Sequence, residues 1–141
     1  MDVVKGRLLV AGKGAVRGPL LLLQHPISFW GGVDPVAGII SDPRHPNHGA
    51  SIRGVVLAIP SAVGSSSSSA IMLELIREGT APAAIVLGKA DAILPLGVVV
   101  AAELGYAPIP ILELPSDQLK GLASGDPVVV SEAGELSRES P

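Results

Sequence analysis

The sequence predicts a single mixed α/β domain, and three observations support this fold class. Short apolar runs alternate with glycine and proline along the 141 residues, as expected for strands and helices joined by turns. The apolar share of 48% is mainly aliphatic, with one Trp, one Tyr and one Phe. The segment 54–87 has a strand–helix–strand pattern, which favours a parallel crossover. A chain of this length forms one domain with a substantial core.

The predicted elements follow in order along the chain. Strands are expected at 3–11, 19–24, 54–59, 83–87, 109–114 and 128–131. The continuous apolarity of 19–24 predicts a fully buried strand. One helix is predicted over 68–78 with Gly79 as its left-handed cap. A second is predicted over 95–104, with Pro95 in its first turn and Gly105 closing it.

The domain organisation is simple. The folded domain is expected to span 1–131, and the polar residues 132–141 are predicted to form a flexible C-terminal tail. The segment 29–49 is rich in turn residues and too long for an idle connection. Because long loops in compact domains are usually functional or disordered, we expect a functional role for it.

Composition excludes several function classes. The net charge is −3 and no basic block is present, which argues against nucleic acid or an anionic membrane as a partner. The chain has no cysteine, so it cannot supply thiolate ligands for zinc or an iron–sulfur cluster. No apolar run approaches the roughly 18 residues of a membrane span. The N-terminus lacks signal-peptide features, so a soluble cytoplasmic protein is expected.

The most informative segment is a run of five serines, Ser65–Ser69, after Gly64. A serine run usually indicates a flexible linker. Here an apolar strand precedes it and a helical pattern follows, which favours an ordered loop at a helix N-terminus. Such a terminus attracts anions through its free N–H groups and the helix dipole. Gly64, Ser66 and Ser67 are therefore candidate anion-binding residues, and simple N-capping is the alternative.

Ser65 could act as a base or a nucleophile, but only if a neighbouring group activates its hydroxyl. No histidine or lysine is close to it in sequence. The pattern is not the Gly-x-Ser-x-Gly of a nucleophile elbow, because Ser67 occupies the position of the second glycine. A self-contained serine hydrolase is therefore not expected.

The loop 29–49 holds other polar candidates, each with a simpler explanation. The His-x-x-His spacing of His45 and His48 suits a metal, but surface or capping histidines are commoner, so no metal site is predicted. Asp34 could orient a site residue or stabilise a turn before proline. Arg44 could bind a carboxylate or phosphate or remain solvated. Trp30 is expected in the core or at an interface.

Four segments together resemble the small subunit of aconitase X. They are PISFWGGVDP at 26–35, DPRHPNHG at 42–49, GSSSSS at 64–69 and GTAPAAIVL at 79–87, and the resemblance extends over 8–114. It implies a swivelling β/β/α domain, a compact mixed sheet or barrel with two main helices. It also implies docking on a large subunit that carries the iron–sulfur centre, with no cofactor bound by this chain alone.

The resemblance also implies site roles. Gly64-Ser65-Ser66 occupies the place of the family's Gly-Ser-Ser loop, which makes Ser65 the base of a dehydration. Ser67 stands where aconitases have a substrate-binding arginine, so its role is open, as are those of Ser68 and Ser69. Asp34, Arg44 and His45 are candidate supporting residues.

Two activities are open for such a small subunit, both acting on a small carboxylate. The uninterrupted serine run and the 44–48 stretch look more like the bacterial hydroxyproline form of the family, so the resemblance favours dehydration of cis-3-hydroxy-L-proline, which would yield pyrroline-2-carboxylate. The alternative is dehydration of mevalonate 5-phosphate in an isoprenoid route. A hypothesis of a different class is a non-catalytic, anion-binding or regulatory module that uses the same helix terminus.

Overall fold

The computed structural model describes residues 3–139. Within this range the strands are β1 (Val4–Lys5), β2 (Arg7–Val10), β3 (Val16–Leu22), β4 (Val33–Asp34), β5 (Ile39–Ile40), β6 (Val56–Ile59), β7 (Ala84–Leu87), β8 (Ile111–Glu113), β9 (Pro127–Val130) and β10 (Glu135–Arg138). The helices are α1 (Phe29–Gly32), which is a single distorted turn, α2 (Ser68–Glu78) and α3 (Ile93–Glu103). A 3₁₀ turn covers Ser116–Leu119.

Eight strands form one sheet in the order β1-β10-β9-β3-β6-β7-β8-β2, and β4 and β5 form a separate hairpin. β3, β6, β7 and β8 are parallel neighbours, whereas the other pairs in the large sheet are antiparallel. β1 and β2 lie at opposite ends of the strand order, yet only Gly6 separates them in sequence. The sheet must therefore curl until its two edges approach, which gives a nearly closed barrel.

β6 and β7 are buried on both faces, so they divide the core into two clusters. On one face, Leu57 and Ile85 pack with Met72 of α2 and Val98 of α3. On the other face, Val56 and Val86 join residues of β8, β9 and β10 inside the barrel. Burial on both faces explains why these strands are continuous apolar runs without alternation.

The predicted mixed α/β fold with a barrel-like sheet and two main helices is confirmed. α2 begins and ends as predicted, and Gly79 closes it with φ of +75°. The predicted parallel crossover is also confirmed, because β6 and β7 are adjacent parallel strands joined through α2.

Two strand predictions need correction. The single strand predicted over 3–11 is broken at Gly6, and its halves pair with different partners, β10 and β8. The strand predicted over 19–24 begins earlier, at Val16, and it is not fully buried, since Arg17 and Pro19 are exposed. Its first half pairs antiparallel with β9, and only its second half joins the buried parallel strands.

The prediction of a flexible tail over 132–141 is wrong for the residues that the structure describes. Glu135–Arg138 is β10, which lies between β1 and β9 in the sheet. Leu136 is fully buried and pairs with Val130 and Val4. The segment is polar because only one of its faces is covered, and a four-residue strand with a single buried leucine gives no clear alternation. Residues 140 and 141 lie outside the described range.

No helix within residues 3–139 is long and apolar enough to cross a membrane.

If β10 is an integral strand, Leu136→Ala should lower the free energy of unfolding by about 2–5 kcal/mol, the usual effect of truncating a buried leucine. Glu135→Ala, at an exposed position of the same strand, should change it by no more than about 0.5 kcal/mol. Urea denaturation followed by circular dichroism measures both. If neither substitution changes the free energy of unfolding, the prediction of a flexible tail would stand again.

Candidate active site

The candidate site lies where two neighbouring parallel strands end. The connection that follows β6 contains the serine run and leads into α2, and the connection that follows β7 leads into α3. The carboxyl ends of parallel strands are the usual location of ligand sites in α/β folds. The strand pairing therefore brings two connections, distant in sequence, to one edge.

A pocket of about 280 Å³ opens at this edge. Most of its lining is apolar, and its polar groups come from the serine run and from one carboxylate. The lining residues are Phe29, Ala62, Val63, Gly64, Ser65, Ser68, Asp91, Ile93 and Leu94. A small apolar cavity with a few placed polar groups is typical of a small-molecule site.

The Ser65 hydroxyl is held by its own loop. Its Oγ accepts a hydrogen bond from the Ser67 N–H at 3.0 Å. The Ser65 carbonyl accepts the Ser68 N–H, also at 3.0 Å. An N–H that donates to the hydroxyl oxygen stabilises negative charge there, which favours the alkoxide over the alcohol.

The same loop offers free donors. Among the hydrogen bonds of residues 3–139, none takes the N–H of Gly64, Ser65 or Ser66 to a protein acceptor. Ser65 and Ser66 are exposed. Three consecutive unpaired N–H groups just before α2 can bind an anion. The structure thus brings the predicted residues Gly64, Ser65 and Ser66 together, with Ser67 supporting Ser65 through its backbone.

Gly64 has a conformation and surroundings that exclude a side chain. Its φ is +95°, in the left-handed region. A Cβ atom at this position would lie 2.7 Å from the Ser28 Cβ. The serine loop therefore lies directly against the turn at Ser28.

The structure adds pocket residues that the sequence analysis missed. Asp91 lines the pocket, and its Oδ2 accepts the Leu94 N–H at 2.8 Å at the start of α3. Phe29 is almost fully buried beneath the serine loop. Asp91 had a usable signal, because an acidic residue before a helix that follows a parallel strand lies at the same edge as the serine loop. Phe29 had none.

The structure does not place the predicted supporting residues in this pocket. The Asp34 Oδ1 accepts the N–H groups of Val36 and Ala37 and so stabilises the turn between β4 and β5. Arg44 and His45 instead line a separate, shallow depression. There the backbone N–H and the guanidinium of Arg44 hold the pKa of the Asp42 carboxyl below its usual value.

His45 is buried and its ring nitrogens are both close to protein groups. Nδ1 accepts the Asn47 N–H at 3.0 Å, and Nε2 lies 3.3 Å from the His25 carbonyl. These contacts fit the arrangement in which Nδ1 accepts and Nε2 donates. His48 is exposed. Within residues 3–139, no group of three or more His, Cys, Asp or Glu side chains could hold a metal ion. Trp30 is 57% exposed and so is not a core residue.

Comparison with known proteins adds a family match. Residues 3–137 match the family model described as the aconitase X swivel domain. The chain is 41% identical over 129 residues to the phosphomevalonate dehydratase small subunit of Methanothermobacter thermautotrophicus, covering 92% of each chain. It is 48% identical over 105 residues to the cis-3-hydroxy-L-proline dehydratase of Pseudomonas aeruginosa, covering 74% of this chain and 18% of that protein.

Two solved structures resemble the fold. The crystal structure of Thermococcus kodakaraensis aconitase X in its holo-form matches with a TM-score of 0.85 and 30% identity, covering 99% of this chain and all of the matched chain. The solution NMR structure of a UPF0107 protein matches with a TM-score of 0.83 and 28% identity, over 99% of this chain.

The contact between Gly64 and Ser28 can be tested against a matched glycine. Gly105 has nearly the same φ, +94°, but open space where a Cβ would lie. Gly105→Ala should lower the free energy of unfolding by about 1–2 kcal/mol, the strain of a left-handed residue. Gly64→Ala should lower it by about 1–3 kcal/mol more, because overpacking is added. Denaturant unfolding of both variants measures the difference, and equal effects would contradict the contact.

Proposed function

This chain belongs to the aconitase X swivel-domain family, and we propose that it is the small subunit of a two-subunit dehydratase in which Ser65 is the catalytic base. Its named relatives are dehydratases, so the reaction class is a hydro-lyase reaction. The observation that carries the proposal is the geometry of Ser65. Ser65 lines the pocket, and its hydroxyl accepts a backbone N–H in a loop that has free N–H donors.

The proposed reaction removes a proton and a hydroxide from adjacent carbons. The Ser65 alkoxide takes the proton from the carbon next to the substrate carboxylate, and the electron pair of that C–H bond forms the new double bond. The C–O bond on the neighbouring carbon then breaks, and hydroxide leaves. The N–H groups of Gly64, Ser65 and Ser66 are placed to hold an anionic group of the substrate.

An ordinary serine hydroxyl is far too weak a base for this step. The Ser67 N–H and the N-terminus of α2 both favour the alkoxide, and both act more strongly where water is excluded. Ser65 is exposed in the isolated chain. We therefore propose that docking on a large subunit covers the pocket and completes the site.

The departure of hydroxide needs an acid that the described pocket residues do not offer. The chain has no cysteine to ligate an iron–sulfur centre. We propose that the large subunit holds that centre, and that this chain contributes the base and the anion-binding loop. A cytoplasmic location stays a prediction of the sequence.

The favoured substrate is cis-3-hydroxy-L-proline. Of the described residues that line the pocket, Asp91 alone belongs to an acidic or basic residue type. A carboxylate complements the protonated ring amine of this substrate and repels a phosphate group. Loss of the proton next to the carboxylate and of the neighbouring hydroxyl would give pyrroline-2-carboxylate. The 48% identity to the Pseudomonas aeruginosa enzyme agrees with this assignment.

The second candidate is mevalonate 5-phosphate. The supporting observation is that the similarity to the Methanothermobacter thermautotrophicus small subunit covers 92% of each chain. The cis-3-hydroxy-L-proline dehydratases are longer, and the aligned part is 21% of the Hypocrea jecorina protein and 18% of the Pseudomonas aeruginosa protein. The extent of the similarity to the Methanothermobacter thermautotrophicus small subunit therefore favours the phosphorylated substrate, whereas the charge in the pocket favours the amine.

The deciding experiment is an assay of the complex on both compounds. The chain is co-expressed with a large-subunit homologue from the same genome, and the complex is purified without oxygen. We expect water loss from cis-3-hydroxy-L-proline and none from mevalonate 5-phosphate. Turnover of the phosphate alone would reverse the substrate assignment, and an intact complex that acts on neither would overturn the function.

Replacing the base tests the role of Ser65 directly. Ser65→Ala should reduce turnover by at least ~100-fold, as expected for the loss of a positioned base, while the complex still forms. Ser61→Ala, in the same connection but outside the pocket lining, serves as the matched control and should keep turnover near that of the unmodified protein. Full activity of Ser65→Ala would instead favour a non-catalytic anion-binding module.

The outer face of α3 is the proposed contact with the large subunit. Leu96, Val99 and Val100 are exposed there, at the spacing of one helical face. The same helix supplies Ile93 and Leu94 to the serine pocket, so a partner seated on this face would also reach the site. In the longer dehydratases the aligned part is 21% or 18% of the protein, and we expect the remaining polypeptide to supply the equivalent contact within one chain.

A charge on this face should weaken assembly. Val99→Asp would bury an unpaired carboxylate, so we expect the dissociation constant of the complex to rise at least about tenfold. Val36→Asp makes the same change at an exposed valine in the turn between β4 and β5, and it should leave binding unchanged. Calorimetric titration compares them, and unchanged binding of Val99→Asp would place the interface elsewhere.

A further inference from the structure

Ser68 differs from the other serines of the run. It is 4% exposed, whereas Ser65, Ser66 and Ser67 are exposed and Ser69 is half-buried. Its Oγ accepts a hydrogen bond from the Trp30 N–H at 3.0 Å, across a separation of 38 residues. The hydroxyl therefore joins the first turn of α2 to a distant part of the chain.

The partner of Ser68 is a turn with an irregular backbone, which needs external hydrogen bonds to keep its shape. Trp30 and Gly31 have non-helical backbone angles inside α1. The Trp30 N–H is taken by Ser68, and the Trp30 carbonyl accepts the Ser28 hydroxyl at 3.0 Å. Phe29, which lies between Ser28 and Trp30 in sequence, is buried beneath the pocket. Two serine hydroxyls and one buried ring thus fix this turn.

The turn contacts the serine loop on both sides of Ser65. Gly64 packs against Ser28 just before it, and Ser68 is bonded to Trp30 just after it. Between these contacts, the Ser65 carbonyl accepts the Ser68 N–H, and its hydroxyl accepts the Ser67 N–H. A shift of Ser68 would therefore move both groups that hold Ser65 in place.

We propose that Ser68 is a positioning residue for Ser65: its hydroxyl anchors the first turn of α2 on the Trp30 N–H and so fixes where the Ser65 hydroxyl points. This inference rests on the proposed function of Ser65 as the base. In this proposal Ser68 acts by fixing the loop and not by transferring a proton, because the hydrogen bond between its hydroxyl oxygen and the Trp30 N–H is what holds the first turn of α2 in place.

The kinetic test compares Ser68→Ala with Ser69→Ala in the assembled complex. The Ser69 hydroxyl donates to the Ser66 carbonyl within the same run but does not reach the 28–30 turn. We expect Ser68→Ala to lower kcat by about 10- to 100-fold, the effect of misplacing a catalytic group by around an ångström, with KM changed less than about threefold. Ser69→Ala should keep kcat within about threefold.

A second readout reports the anchor without any assay of activity. Amide hydrogen exchange of Trp30 in the unbound chain should be at least about tenfold faster in Ser68→Ala than in Ser69→Ala, because the N–H loses its acceptor. The emission of Trp30, the single tryptophan, should change with it. Unchanged exchange would overturn the anchor itself, whatever the substrate.

The outcomes distinguish a failure of the proposed function from a failure of the Ser68 anchor. An inactive wild-type complex would overturn the proposed function, and the exchange experiment would still decide the anchor. The positioning role alone would be overturned by a different result. In that case the wild-type complex is active and Ser65→Ala disables it, but the Ser68→Ala complex keeps kcat within threefold of wild type. If Ser68→Ala does not fold, Ser28→Ala loosens the same turn from its other side, and an unchanged kcat in that variant would overturn the proposal.

Discussion

The parallel pairing of β6 with β7 is the constraint on which the rest of the structure depends. Both strands are buried on both faces, so each needs a cover on either side. The barrel interior covers one face, and α2 and α3 cover the other. Because both strands point the same way, their following connections must emerge at one edge. That edge is where the serine loop meets Asp91 and the candidate pocket forms.

In the proposed function, the pocket is one side of a larger site. The pocket and the serine loop at its edge offer the Ser65 hydroxyl, three free N–H groups and one carboxylate. In this proposal they hold an anion and accept a proton, and the partner assists the leaving hydroxide. The apolar outer face of α3 and the exposed Trp30 lie on two of the elements that line the pocket. Assembly and catalysis are therefore coupled in this proposal, since the contact that brings a partner also excludes water from Ser65.

Elements with a local signal were predictable from the sequence. α2 was predicted with correct bounds because a serine-rich start, an apolar stripe and Gly79 all act within one helix. The break at Gly6 and the strand β10 were missed. Gly6 separates two strands only because the barrel brings both sheet edges together. β10 is a strand only because β9 and β1 flank it, and its residues carry a single buried leucine to indicate this.

The sequence by itself identified the candidate serine loop, since Gly64 and Ser65, the flanking apolar elements and the missing cysteines are all local or compositional facts. Only the tertiary structure decided which neighbours act on that loop. It brought Asp91 into the pocket, joined Ser68 to Trp30, and left Asp34, Arg44 and His45 outside. The physical reason is that a hydrogen bond or a packing contact between segments tens of residues apart depends on how the strands pair, and neither composition nor periodicity records that pairing.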